Sequence, residues 1–143
     1  MSQLEPQASQ FRFVYEVPVR FRDLDPMGHA HHSLPLIYIE EARAAYWRDV
    51  VGRQGLGEID YILAQATLRF VRRIEFPAML HIGLRVSRLG GSSFTMEYEI
   101  RDEHGDVLTT AETVQVMYDY DSSRSKPIPD SIRASIAAFE QLS

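Results

Sequence analysis

From Tyr61 to Tyr118 the chain alternates apolar and polar residues in four successive runs, and that period of two limits the fold more than any other feature. In YILAQATLRFVRRIEF one face reads Ile62, Ala64, Ala66, Leu68 and Phe70; in LHIGLRVSRL it reads Leu80, Ile82, Leu84 and Val86. SFTMEYEI repeats the pattern with Phe94, Met96, Tyr98 and Ile100, and VLTTAETVQVMY follows it more loosely with Leu108, Val114, Val116 and Tyr118. Alternate side chains of a strand point to opposite faces, so each run predicts a strand with one apolar face. Gly90-Gly91-Ser92 and Glu103-His104-Gly105-Asp106 between the last three runs are hairpin chemistry, which predicts an antiparallel meander.

FRFVYEVPVRF, residues 11–21, predicts an earlier strand with Phe11, Phe13, Tyr15, Val17, Val19 and Phe21 on one face. Pro18 on the opposite face marks an edge or a bulge. Residues 33–51 change period: they are rich in Ala, Leu, Glu and Arg, with Pro35 in the first turn and Gly52 placed as a C-cap. Apolar groups occupy most of this predicted helix's circumference, as expected of a helix wrapped by other structure. A glycine-containing loop, GRQGLGEID, leads into the four strands. After them a proline-bearing loop over 121–129 precedes a short helix from about Asp130, with Asp130 or Ser131 as its N-cap. The order predicts an α+β domain spanning 1–143, frayed over 1–10. One helix on one sheet leaves the other sheet face to be covered and the edges to be paired, which predicts a homo-oligomer, dimer or tetramer.

Composition narrows the function classes. A net charge of −5 without a basic run argues against a nucleic-acid partner. With no cysteine, disulfides, thiolate metal sites and a cysteine nucleophile are excluded. No apolar run approaches the ~20 residues that span a bilayer, and MSQLEPQASQ lacks the features of a signal peptide. The expectation is a cytoplasmic enzyme or binding protein.

The chemistry concentrates in RDLDPMGHAHH, residues 22–32, which holds two carboxylates and three histidines around a Pro–Met–Gly turn. A metal site could draw on Asp25, His29, His31 and His32, but His31 and His32 are adjacent and no helical His pair is present. Alternatively, a carboxylate near a helix N-terminus works without metal. The backbone N–H groups there stabilise an oxyanion while the carboxylate attacks a carbonyl or activates water. A third reading makes Asp23 and Asp25 caps of the turn, with Gly28 supplying a positive φ. Residue types and spacing leave these open.

Taken in order, VRFRDLDPMGH, then YIEEAR on the helix, ILAQATLRFVRRIEF, RLGGSSFTMEYEIRDEHGDVLTTAETVQV and KPIPDSIRA resemble the 4-hydroxybenzoyl-CoA thioesterase-like group of hotdog-fold acyl-CoA thioesterases. The resemblance runs from about Arg12 to Ile136. It implies a long central helix wrapped by an antiparallel sheet of five to six strands, paired sheets in a dimer, and an active site at the dimer interface. Asp25 matches the family's catalytic carboxylate, acting as nucleophile or general base. The backbone N–H near His32 matches the oxyanion donor, and Asp23 is then structural. His32 is assigned to the catalytic set as a group that places water or the carbonyl. Gly28, His29, Tyr61, Arg72, Arg88 and Ser92 are assigned to substrate binding, with Arg73 a further candidate for the phosphates.

The sequence departs from the family at two positions. Pro35 stands where relatives commonly have Tyr, and Gly91 where they often have a basic residue. One branch of the fold uses a helical Glu, which brings Glu40 and Glu41 into view, but the DLDP turn favours Asp25. The expected reaction is hydrolysis of an acyl-CoA to a free acid and coenzyme A, with no metal or organic cofactor. Its rivals are an acyl-carrier-protein thioesterase, a hotdog dehydratase using His31–His32, and a non-catalytic acyl-thioester binding protein.

Overall fold

The computed structural model describes residues 11–53 and 59–142. Its elements are β1 (Phe13–Pro18), a 3-10 turn (Phe21–Asp23), α1 (Leu34–Tyr46) continued by a π-turn (Trp47–Val51), β2 (Tyr61–Phe70), β3 (Met79–Leu89), β4 (Ser93–Arg101), β5 (Val107–Asp119), β6 (Arg124–Ser125) and α2 (Asp130–Glu140). The sheet order is β1-β3-β4-β5-β2, every pair antiparallel, with β6 on the far end of β5. Strands β3, β4 and β5 form the expected meander. α1 joins β1 to β2, which stand at the two ends of the sheet order, and the chain then returns from β2 to β3, so the helix lies in the concavity of a curled sheet, the hotdog arrangement. The predicted frayed terminus at 1–10 lies outside the described residues.

α1 holds its place by what it buries. Tyr38, Ile39, Ala42, Tyr46 and the adjoining Trp47 meet Leu80, Ile82 and Leu84 of β3 and Phe94, Met96 and Tyr98 of β4 in one core. Gly52, at φ +86°, ends the helix in the left-handed region that glycine adopts without penalty. α2 closes the far end of the core through Ile132 and Ile136, and Ile128 of the preceding loop is buried with them. The 121–129 segment is thus a loop with one short strand and one anchored residue.

Three expectations about faces change. β2 carries a bulge between Leu63 and Gln65, so Tyr61 and Leu63 share the concave face with Met117 and Gln115, and Ala66, Leu68 and Phe70 follow. Ile62 and Ala64 leave the predicted face, because one extra residue inverts the alternation. β5 turns Thr109, Thr113, Gln115 and Met117 inward, and Val114 and Val116 lie on the convex face paired with Gln65 and Ile62. Thr113 bonds the Tyr98 hydroxyl at 2.7 Å and Gln115 donates to the Phe94 carbonyl at 3.3 Å, while Thr109 Oγ1 and Gln115 Oε1 are buried with no hydrogen-bond partner among the described residues. Phe11 and Phe21 also leave the β1 face, Phe11 packing on Gly83 and Phe21 ending in the exposed 3-10 turn.

Across the convex face Arg85 pairs with Glu97 at 2.6 Å, Arg101 with Glu99 at 2.7 Å and His81 with Glu16 at 3.3 Å, beside the exposed Val14 and Ile62. β2 has no partner on its outer side among the described residues and is exposed along most of its length.

Candidate active site

The histidine-rich turn is built by its own backbone. Asp25 N–H donates to the His29 carbonyl at 2.8 Å and Gly28 N–H to the Asp25 carbonyl at 3.0 Å, while Leu24 and Ala30 bridge as a miniature antiparallel pair. Gly28 sits at φ +82°, which the tight reversal requires and a side chain would resist. Ala30 N–H then bonds the Ile74 carbonyl and His29 bridges to Glu75, fastening the turn to the segment that joins β2 to β3.

Within this turn the two aspartates part company. Asp23 is buried, 7% exposed, and its Oδ2 accepts the Arg20 N–H at 2.9 Å and the Tyr38 hydroxyl at 2.7 Å. It is not among the residues that line the cleft at Asp25. Asp25 is half-exposed. Its Oδ1 accepts N–H bonds from Met27 at 2.9 Å and His29 at 3.3 Å, and its Oδ2 has no hydrogen bond among the described residues. One carboxylate oxygen is therefore anchored and the other free. Desolvation, the largest single influence, pushes this carboxyl up, but the His29 and Met27 amides and the nearby imidazoles of His29 and His31 together outweigh it and hold the group below its ordinary value of 3.8.

The helix start supplies the complementary charge. Leu34 N–H donates to the His31 carbonyl at 2.9 Å and Ser33 N–H to His31 Nδ1 at 3.2 Å. The His32 N–H donates to no group among the described residues. It is an orphan amide at the positive end of α1, where an oxyanion is favoured. The His31 ring, bonded through Nδ1 to Ser33 Oγ at 2.9 Å, lies 4.0 Å from the His32 ring.

Asp25, His29 and His32 line a cleft of about 870 Å³ whose other walls come from Phe70–Ala78 and from the β4–β5 turn. Ala30, Pro35, Val71, Ile74 and Leu108 make part of the lining apolar, and Arg72 and Arg73 stand at its wall. Arg72 reaches Asp106 at 3.4 Å on exposed surface, a pair weak enough to exchange for another anion. His104, which sequence reasoning missed, also lines the cleft, and nothing local in the sequence marks it; the meander's turn carries it there. Pro35 faces the cleft where a bulkier Tyr would narrow it. Among the described residues no group of three or more His, Asp or Glu side chains converges as a metal ligand set.

The remaining predicted residues lie elsewhere in the protomer. Arg88 is exposed near the end of β3, and Ser92 lies in the β3–β4 turn beside Lys126. That turn and the Asp25 cleft occupy opposite ends of β4, whose nine residues span roughly 30 Å at the usual rise. Tyr61 is a core residue, packed edge-on against Trp47 at 4.9 Å with the Arg43 guanidinium 5.9 Å from its ring centre. Of the helical acids, Glu41 pairs with Arg20 at 3.3 Å and Glu40 is exposed. Gly28 shapes the turn without lining the cleft.

Comparison with known proteins agrees with this geometry. The family model of the thioesterase-like superfamily matches residues 19–136. An uncharacterised protein of Bacillus subtilis, YsmA, is 26% identical over 117 residues, covering 82% of this chain and 80% of its own. Among solved structures, a Thermus thermophilus thioesterase complexed with coenzyme A and Zn is 31% identical with a TM-score of 0.86, covering 94% of this chain and 98% of that one. The PA2801 protein of Pseudomonas aeruginosa is 30% identical with a TM-score of 0.79, covering 89% of this chain and 99% of its own. The curled sheet around one helix thus has its counterpart among solved thioesterase structures, and the chain belongs to the thioesterase-like superfamily.

Proposed function

We propose that the protein hydrolyses acyl-CoA thioesters to a free acid and coenzyme A at the Asp25 cleft. The observation that carries this reading is the pairing of a carboxylate with one free oxygen and an unbonded helix N-terminal amide on the same cleft. The thioester carbonyl oxygen takes the His32 N–H, where charge developing on it is stabilised. Asp25 Oδ2 then attacks the carbonyl carbon, giving an acyl anhydride that water hydrolyses to the free acid, or removes a proton from the water that attacks it. The sulfur leaves as thiolate and needs little protonation, so no further acid, metal or organic cofactor enters the scheme. His32 and His29 flank the carboxylate as groups that place the water or the acyl carbonyl. The coenzyme A complex of the 31%-identical Thermus thermophilus thioesterase supports the choice of thiol.

The reading includes a dimer built through β2. A ten-residue edge strand holding one charged residue, Arg69, and no proline lacks the devices that keep edges from pairing. Leu63 and Phe70 are 40% and 55% exposed along it, with Ile37 of α1 44% exposed. Two-fold pairing of β2 runs the strand against its copy, so the end bearing Tyr61 meets the end bearing Phe70. The sheet end with Arg88 and Ser92 then comes to the partner's cleft, where coenzyme A phosphates need cations.

The test is free-thiol release from short, long and aromatic acyl-CoAs by the wild type and Asp25→Asn. Turnover that falls at least a hundredfold in the variant, with circular dichroism unchanged, is expected. No turnover on any acyl-CoA overturns the hydrolase reading, and turnover surviving in Asp25→Asn removes Asp25 from it.

A further inference from the structure

The buried half of the DLDP turn does something the cleft itself does not explain. Asp23 faces away from solvent, yet it contacts both arms of the loop that carries the chemistry. Its side chain accepts the Tyr38 hydroxyl, its carbonyl accepts the His31 N–H at 3.1 Å, and the Leu24–Ala30 bridge starts at the next residue. Asp25 is two residues beyond Asp23 and the free His32 amide one residue beyond His31. Tyr38 is 1% exposed and sits one turn into α1, the helix whose N-terminus presents that amide.

We infer that Asp23 and Tyr38 form a buried strut that sets the Asp25 carboxylate and the His32 amide at their working separation, a positioning pair for the thioester chemistry; this rests on the proposed hydrolysis. A parallel brace exists, from Arg20 to Glu41 at 3.3 Å, with both side chains about one-third exposed. Exposed pairs of that kind contribute little. The Tyr38–Asp23 bond is short, charge-assisted and dry, so it dominates. Burial, then the bond and charge of Asp23, push the Tyr38 phenol well up, so it remains a donor throughout the working pH range. Without that donor, Asp23 is a buried carboxylate held by one backbone N–H, and the loop neck is free to turn relative to α1.

The strut has signatures that a stabilising contact alone lacks. In Tyr38→Phe, kcat should fall roughly 10- to 100-fold with KM within about twofold, because a displacement near 1 Å costs up to about a hundredfold in rate. Asp23→Asn keeps one oxygen for both donors and should retain kcat within about threefold, whereas Asp23→Ala should behave like Tyr38→Phe. Hydrogen exchange supplies a readout independent of turnover. Amides of residues 24–32 should exchange at least tenfold faster in Tyr38→Phe, with β3 unchanged. An unchanged kcat in Tyr38→Phe would overturn the inference, as would Asp23→Asn as inactive as Asp25→Asn, or exchange that rises uniformly or not at all. If the wild type cleaves no thioester, the hydrolase reading fails and the exchange pattern decides the strut by itself.

Discussion

Replacing Glu140 by Ala should destabilise the protein far more than its half-exposed position at the end of α2 suggests. Its Oε2 accepts the Tyr46 hydroxyl at 2.6 Å and the Val86 N–H at 3.0 Å. Val86 borders the β3 bulge, where the ladder to β4 shifts register and leaves that amide to find another partner. Tyr46 and Val86 are both fully buried, so Glu140→Ala strands two donors away from water. Each buried unsatisfied group costs about 1–3 kcal/mol. Water reaching the shortened side chain relieves part of this, so a loss of about 3 kcal/mol is expected, or roughly 6–12 °C in Tm for a chain of this size. Urea unfolding at fixed protein concentration measures it, with m unchanged. Glu140→Gln keeps an acceptor and should lose about 1 kcal/mol or less. In a double-mutant cycle, Tyr46→Phe should cost about 1 kcal/mol in the wild type and recover stability beside Glu140→Ala, where it removes a stranded donor. A Glu140→Ala loss below about 1 kcal/mol, or strict additivity in that cycle, would refute the argument that this carboxylate satisfies the bulge.

Other perturbations test other parts of the argument. Because its neighbours hold Asp25 below 3.8, kcat/KM should stay level from neutral pH downward and fall only beneath that value. The sign for stability is the same: a depressed folded-state pKa means a contribution lost as pH drops through it, so acid and not alkali should loosen the turn. An acid limb near pH 6 would assign the titration to another group. Gly83→Ala places a methyl 2.8 Å from Phe11 Cγ, and should cost about 1–3 kcal/mol through displacement of that ring; beside Phe11→Ala the penalty should vanish. Ala66→Arg, at the middle of the free β2 edge, should turn the proposed dimer into monomer in sedimentation velocity and abolish turnover while leaving the fold intact. An unchanged sedimentation coefficient would move the interface elsewhere.

Much of this protein was legible in the chain because strands and helices announce themselves by local periodicity. The meander β3–β5, the glycine-capped helix and the inward sets on β3 and β4 follow from side-chain alternation and turn residues alone. Motif order likewise pointed to Asp25 and the helix start, since the carboxylate and the amide of the proposed site are neighbours in sequence. The faces of β2 and β5 were not legible. A bulge is a one-residue event set by the partner strand, and the inward Thr113 and Gln115 have their hydrogen-bond partners, the Tyr98 hydroxyl and the Phe94 carbonyl, on another strand. The same limit applies to the site. Sequence motifs cannot say that Tyr61 lies beside Trp47 in the core, that Arg88 and Ser92 sit at the opposite end of β4 from Asp25, or that His104 reaches the cleft. Nor could spacing reveal the Tyr38–Asp23 bond or the free His32 amide. Sequence by itself determined which segments form which elements, because those preferences are local. Only tertiary structure decided which polar groups are paired and which are left free, because hydrogen-bond satisfaction depends on residues far apart in the chain.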